Sequence, residues 1–125
     1  MSLLCALVGT RYAAPLDGAI LVLEEVNERA YRVERMLTQL LMLPDLATVA
    51  GVAFGDLGVL PDEQEWLESS LDRFCIQLGR PAVTGFPIGH GPANHPVPEG
   101  VRAELDADRG ILAVVEDPFD RTWTQ

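Results

Sequence analysis

The sequence has no lysine and only three serines, and both shortages narrow the functions that it could have. Its nine basic residues are all arginines and stand against nineteen aspartates and glutamates, which gives a net charge of −10. A chain this acidic lacks the positive surface that nucleic-acid phosphates or an anionic membrane require, so we expect neither as a partner. None of its serines lies in the Gly-x-Ser-x-Gly pattern of a nucleophile elbow; they are Ser2, Ser69 and Ser70.

Cysteine and long apolar segments are also scarce. Cys5 and Cys75 are far apart and lie in apolar stretches, which favours two buried, reduced thiols over a disulfide framework. No segment approaches the roughly 20 apolar residues of a transmembrane helix, and residues 1–8 lack the basic start of a signal peptide. Glycine motifs for phosphate or dinucleotide binding are absent as well. We therefore expect a cytoplasmic protein that uses no cofactor.

The apolar pattern predicts strands that alternate with helices. At 125 residues, of which 48% are hydrophobic, the chain is long enough for one domain with a packed core. Continuous apolar runs predict three buried strands, and apolar–polar alternation predicts a C-terminal hairpin. The expected strands are residues 18–23, 48–54, 82–86, 101–106 and 111–115. Residues 1–115 would form the domain, and residues 116–125 an acidic tail.

Helical periodicity predicts three helices between these strands. A short helix covers residues 2–8, and a longer one has an apolar face from Val33 to Leu41 and is ended by Pro44. A third begins at Asp62 and Glu65, which have the spacing of a capping box, and ends before Gly79. The order of elements predicts an α/β fold with a mixed sheet, in which right-handed crossovers join parallel strands.

Two segments carry the residues that suggest chemistry. Glu24 follows an apolar strand, where α/β folds often place functional groups, and it should face the opposite side from Glu25. His90 lies in a loop rich in glycine and proline, between Gly89 and Gly91. A carboxylate and an imidazole are the orienter and the base of a serine hydrolase. From these residues alone, an exposed strand-end carboxylate and an ordinary surface histidine remain alternatives.

Two further residues deserve a place among the candidates. His95 lies five positions after His90, but no helical His-x-x-x-His or paired Cys-x-x-Cys accompanies it, so we expect no metal site. Asp56 ends the second predicted strand. It could be a further carboxylate of the site or the cap of a turn.

Four motifs of this chain together resemble the C-terminal domain of the LD-carboxypeptidases. This serine peptidase family includes muramoyltetrapeptide carboxypeptidase and the microcin C self-immunity peptidase. The resemblance runs from about residue 2 to residue 115 and includes Asn94 and residues 98–101. It implies a swivelling β/β/α domain. The motifs are DGAILVLEEV at 17–26, YRVERMLTQL at 31–40, GVAFGD at 51–56 and GFPIGH at 85–90.

The resemblance also implies a Ser-His-Glu triad to which this chain contributes Glu24 and His90. The serine would come from an N-terminal domain, similar to class I glutamine amidotransferases, that this chain lacks. The implied reaction is hydrolysis of an amide to a terminal D-amino acid, as when a murein tetrapeptide loses D-alanine. An immunity-type member would instead cut the bond between a peptide and a nucleotide analogue. We expect the isolated chain to be inactive, as a fragment, a truncated reading frame or an excised domain would be.

The partners expected from this reading follow from a divided active site. An apolar surface around Leu3, Leu4 and Leu7, with Phe86 and Ile88, would bind the amidotransferase-like domain or a second copy of the chain. The alternative is a non-catalytic orphan domain that binds a protein or a peptidoglycan fragment. DNA directly upstream that encodes a nucleophile domain would favour the enzyme over this alternative.

Overall fold

The computed structural model describes residues 1–119, which form a layered α/β domain. Three strands make a parallel sheet in the order β1–β2–β3, and two more make a separate antiparallel hairpin. The strands are β1 Ile20–Leu23, β2 Gly51–Phe54, β3 Ala82–Val83, β4 Ala103–Asp106 and β5 Ile111–Val114. The helices are α1 Ser2–Leu7, α2 Ala30–Leu41 and α3 Gln64–Leu78, with short 3-10 helices at Pro44–Thr48 and Pro61–Glu63.

The hydrophobic core lies between the parallel sheet and the helices α2 and α3. Right-handed crossovers between strands in the order β1–β2–β3 put both connecting helices on one face of the sheet. The rings of Phe54 and Phe74 meet edge to face there, with centroids 5.8 Å apart. The buried cluster of sheet and helices comprises Leu21, Leu23, Val52, Phe54, Val33, Met36, Leu37, Leu40, Leu67, Leu71 and Phe74.

The hairpin covers the other face of the sheet. Leu105 of β4 lies so close to Gly51 of β2 that a Cβ at Gly51 would be 2.8 Å from the Leu105 Cδ2 atom. The carbonyl oxygen of Pro81 lies 2.9 Å from the same Cβ position, so a side chain at residue 51 would meet backbone as well as the hairpin. The order of layers is helices, parallel sheet and hairpin. The predicted α/β class is therefore confirmed, with the parallel and antiparallel pairings in two separate sheets.

The observed strands are shorter than the predicted ones because their ends turn away from the sheet. Gly18 has a positive φ of 66° and lies in a turn before β1, and Gly85, at φ 86°, leads the chain out of β3. Within residues 1–119 no helix is both long and apolar enough to cross a bilayer. Residues 120–125 of the expected acidic tail lie outside the described residues.

The predicted capping box of α3 is wrong. Helix α3 begins at Gln64 without a side-chain cap, since the turn Pro61–Glu63 before it is a 3-10 helix. That turn buries Glu63, whose carboxylate caps α2 instead: its Oε2 atom accepts a 2.7 Å hydrogen bond from the backbone N–H of Ala30. Its Oε1 atom pairs with the guanidinium of Arg29. The Arg29 guanidinium and the Ala30 N–H hold the pKa of the Glu63 carboxyl below its ordinary value.

We expect Glu63→Gln to lower the thermal unfolding midpoint near neutral pH, because the amide keeps the shape but loses the ion pair with Arg29. Since folding lowers the pKa of Glu63, its contribution to stability is complete above the unfolded pKa. That contribution is lost as the pH falls through the folded value. The difference in unfolding midpoint between wild type and variant should therefore shrink in acid, as measured by thermal unfolding at neutral and at acidic pH.

The control is Glu104→Gln, an exposed change on β4, whose unfolding midpoint should match that of wild type at each pH. Equal midpoints for Glu63→Gln and wild type at neutral pH would contradict the long-range cap.

Candidate active site

Glu24 and His90, which are 66 positions apart in the sequence, form a hydrogen-bonded pair at the carboxyl end of the parallel sheet. The Nδ1 atom of His90 lies 2.8 Å from the Oε2 atom of Glu24. Glu24 directly follows β1, at the carboxyl ends of the strands, where open α/β folds place their functional groups. The His90 side chain is 58% exposed and the Glu24 side chain 33% exposed, so a reactant can approach the imidazole. The expected proximity of these two residues is confirmed.

The geometry of the pair defines what each group can do. A carboxylate that accepts from Nδ1 holds the neutral imidazole in the tautomer with its proton on that nitrogen. The Nε2 atom then has a lone pair that can take a proton from a nucleophile. Among residues 1–119, Nε2 has no hydrogen-bond partner. The arrangement therefore suits an oriented general base.

The loop that carries His90 lies against the end of β2 because glycines leave room for it. A Cβ at Gly55 would overlap the carbonyl oxygen of Ile88, and that oxygen accepts a 2.7 Å hydrogen bond from the Asp56 N–H. Gly89 has a φ of 126°, and a Cβ there would lie 3.3 Å from the Glu24 Oε2 atom. Only glycine fits this combination of backbone angle and close approach.

Two hydrogen bonds close the same loop on itself. The Oδ1 atom of Asn94 accepts a 3.1 Å hydrogen bond from the Gly89 N–H. The His95 N–H donates to the Pro87 carbonyl at 2.8 Å. Asn94 thus supports the residue next to His90, a role for which sequence reasoning had no signal beyond the family motif. His95 acts through its backbone, and no group of three metal-ligating side chains occurs within residues 1–119.

Asp56 is the cap of a turn, one of the two roles that the sequence left open. Its Oδ1 atom accepts a 3.0 Å hydrogen bond from the Gly58 N–H, so it caps a turn. Its other carboxylate oxygen borders the histidine loop, 3.0 Å from the position that a Cβ on Gly91 would occupy. A second carboxylate therefore lies beside the loop of His90.

Glu25 has a different environment from its neighbour Glu24. It is buried, and its Oε2 atom accepts a 2.7 Å hydrogen bond from the backbone N–H of Ser2, while Oε1 accepts from the N–H of Val26 at 3.3 Å. Burial raises the pKa of the Glu25 carboxyl, but these N–H donors outweigh it and hold the pKa below its ordinary value. Sequence patterns alone indicate no role for Glu25.

Within residues 1–119, no serine hydroxyl is hydrogen-bonded to this imidazole. Ser70 is buried on α3 and donates to the Trp66 carbonyl, and the Ser69 hydroxyl accepts from Arg73. Ser2 lies at the start of α1, where its N–H binds Glu25. The two cysteines are both free thiols whose pKa is raised, mainly by burial, which makes them poor nucleophiles.

A cavity of about 390 Å³ lies next to the histidine loop, between the end of β2 and α3. Its apolar walls include Phe54, Leu67 and Phe86, and carboxylates of Asp56 and Asp72 line it as well. The cavity gives this edge of the sheet room for a small polar molecule with an apolar part.

A layered α/β domain with an imidazole–carboxylate pair at the carboxyl edge of its sheet is a kind of domain that hydrolases use. Comparison with known proteins narrows this class. The family model described as the LD-carboxypeptidase C-terminal domain matches residues 1–105, so the chain belongs to the LD-carboxypeptidase family. The resemblance described in the sequence analysis is thereby confirmed.

Individual relatives match only in part of their length. The chain is 41% identical over 115 residues to a putative carboxypeptidase from Streptomyces coelicolor, covering 91% of this chain and 37% of the relative. It is 36% identical over 110 residues to a probable murein peptide carboxypeptidase from Bacillus subtilis, covering 85% and 34%. The crystal structure of muramoyltetrapeptide carboxypeptidase from Oxalobacter formigenes matches with a TM-score of 0.76 and 31% identity, over 89% of this chain and 40% of that chain. The chain thus spans between a third and two fifths of these proteins.

We expect Gly89→Ala to break the pair between Glu24 and His90. An alanine at φ 126° is strained by about 1–3 kcal/mol, and its Cβ would press on the carboxylate of Glu24 and on Asp56. The ¹⁵N NMR shifts of the imidazole should change from one tautomer in the wild type to a mixture in the variant.

The control for this variant is Gly9→Ala. Gly9 also has a positive φ, of 77°, but nothing lies within 4 Å of a Cβ at that position. The Gly9→Ala variant should therefore be less stable than wild type and have unchanged imidazole shifts. Wild-type shifts in Gly89→Ala would show that the loop does not depend on this close approach.

Proposed function

We propose that this chain supplies the glutamate and the histidine of a Ser-His-Glu triad in a serine-type LD-carboxypeptidase. The observation that carries the proposal is the 2.8 Å hydrogen bond between His90 Nδ1 and Glu24 Oε2. Membership of the LD-carboxypeptidase family supports it, since the relatives' names describe carboxypeptidases. Both residues therefore have a role in one reaction.

In the proposed reaction His90 acts first as a base and then as an acid. Its Nε2 atom takes the proton of a serine hydroxyl as the oxygen attacks the carbonyl carbon of the scissile amide. Glu24 stabilises the imidazolium that forms. His90 then gives the proton to the amine of the departing D-amino acid, which leaves an acyl-enzyme. Water, activated by the same imidazole, hydrolyses this ester and regenerates the serine.

The serine and the oxyanion donors belong, in this proposal, to an N-terminal domain similar to class I glutamine amidotransferases. Two observations support a divided site: the chain spans about a third of its curated relatives, and the His90 side chain is open to approach from outside. Leu3 is 80% exposed and Leu7 37% exposed on α1, so an apolar surface is available to such a partner or to a second copy. Leu4, Phe86 and Ile88, expected in the same surface, are half-buried.

The proposed substrate is a murein tetrapeptide that loses its terminal D-alanine, with the reaction in the cytoplasm. The names of two relatives support this choice, since one is a probable murein peptide carboxypeptidase and the other a muramoyltetrapeptide carboxypeptidase. A peptide–nucleotide conjugate is the alternative substrate, and the chimera described below would be assayed with it as well.

The 125-residue chain on its own should not release D-alanine from an L,D-tetrapeptide. A base and its orienter without a nucleophile or oxyanion donors cannot form an acyl-enzyme. Chromatographic detection of free D-alanine measures the reaction. Turnover by the isolated chain that disappears in His90→Ala would show that a hydroxyl or thiol of this chain serves as the nucleophile.

A chimera should regain activity. We would place this chain after the N-terminal part of the Oxalobacter formigenes enzyme and measure kcat for release of D-alanine. Loss of the base or of its orienter in such triads lowers kcat by about 10⁴-fold or more, so His90→Ala and Glu24→Gln should both fall by about this factor. His95→Ala keeps the backbone N–H that closes the loop and should stay near wild type.

Two outcomes of the chimera experiment would contradict the proposal. Activity that survives His90→Ala would show that this chain does not supply the catalytic base. A folded chimera, checked by circular dichroism, that binds the tetrapeptide but cuts neither it nor a peptide–nucleotide conjugate would favour the non-catalytic binding domain.

A further inference from the structure

Glu25 lies next to Glu24 but has no contact with the imidazole among residues 1–119, so its burial needs another explanation. Only 8% of this residue is exposed. Its two carboxylate oxygens accept hydrogen bonds from the N–H groups of Ser2, at 2.7 Å, and Val26, at 3.3 Å. A buried carboxylate is retained only where such donors offset its desolvation. Here one donor is local and the other comes from a segment 23 residues away.

The same segment also holds the backbone of Glu24. The nitrogen of Met1 donates a 2.7 Å hydrogen bond to the Glu24 carbonyl, and it can do so either as an ammonium or as a peptide N–H. On the other side, the Glu25 N–H donates to the Asp56 carbonyl at 3.0 Å. Residues 24 and 25 are therefore clamped between the start of α1 and the end of β2, just beyond the last residue of β1.

The Glu24 side chain depends on this clamp. Within the described residues its carboxylate is hydrogen-bonded to His90 alone, and a third of the side chain is exposed. Apart from that bond the side chain packs against Gly89 of the histidine loop, so the position of the carboxylate also depends on that of its backbone. Catalytic groups must be held within about 0.5 Å of their productive geometry. A small shift of the Glu24 backbone would therefore weaken the 2.8 Å hydrogen bond to His90.

We propose that Glu25 is a positioning residue for the Glu24–His90 pair, and that it acts by tethering the Ser2 N–H so that the start of α1 holds the Glu24 carbonyl. The proposal rests on the proposed function only in taking Glu24 and His90 as catalytic residues. Glu25 touches no reacting atom; it keeps the orienting carboxylate in place. The competing explanation is that Glu25 caps α1 and does nothing for the pair.

The test uses NMR of the 125-residue chain, so that it does not require an active chimera. Two signals are followed in each variant. Amide exchange at Cys5, whose N–H donates to the Met1 carbonyl, reports whether the start of α1 is held. The ¹⁵N shifts of the His90 imidazole report whether Glu24 still fixes the tautomer.

In Glu25→Ala we expect Cys5 exchange to rise by about 10-fold or more, as for a locally opened segment, and the imidazole to become a mixture of tautomers. Glu25→Gln retains one oxygen that can accept from Ser2 and should restore both signals at least in part. If Glu25→Ala does not fold, the Gln variant carries the test, with the same two changes at smaller size. Glu28→Ala is the matched control from the same segment, since it loses only a surface ion pair with Arg32, and both signals should stay as in wild type.

Three results would overturn the proposal. Faster exchange at Cys5 with unchanged imidazole shifts would make Glu25 a cap of α1 and nothing more. No change in either signal would show that the tether does not exist. An equal change of the imidazole in Glu28→Ala would show that any loss of charge near residue 24 has the effect. An inactive chimera would count against the proposed function and would leave these two NMR readouts unaffected.

Discussion

The close approach of the histidine loop to the end of β2 is the contact on which the rest of the site depends. It exists because Gly55 has no side chain at the point where the Ile88 carbonyl oxygen lies. That oxygen then accepts from the Asp56 N–H, which ties the loop to the strand. Since β2 pairs with β1 in parallel register, the same contact brings His90 to the residue that follows β1. A larger residue at position 55 would separate the imidazole from its carboxylate.

Two buried carboxylates fix the segment between β1 and α2: Glu25 lies within it, and Glu63 lies in the turn before α3. Glu63 caps the first turn of α2 and pairs with Arg29, and Glu25 binds the first turn of α1. Each satisfies backbone N–H groups that a helix start leaves without a partner. The segment that contains Glu24 is thus held at both ends by charge-assisted hydrogen bonds, which are stronger than neutral ones. The segment thereby becomes a defined support for the carboxylate that binds the imidazole.

The core and the imidazole differ in exposure. The core between the parallel sheet and the helices α2 and α3 is buried, whereas the His90 side chain is 58% exposed, so the imidazole is accessible without opening the domain. The net charge of −10 opposes self-aggregation through the exposed leucines of α1, Leu3 and Leu7.

The sequence by itself determined the order of strands and helices, the family and the identity of the candidate pair. Apolar runs and helical periodicity are local patterns, and they placed the elements around residues 20–23, 33–41 and 51–54 within a few residues. Tertiary structure decided everything that joins distant positions. Packing alone brought Glu24 to His90 across 66 positions. It left α3 without the predicted cap at Asp62 and placed Glu63 as the cap of α2 instead. It also brought the Glu25 carboxylate to the start of α1. The physical reason is that a side chain's partner is set by how layers pack, which spacing along the chain does not encode.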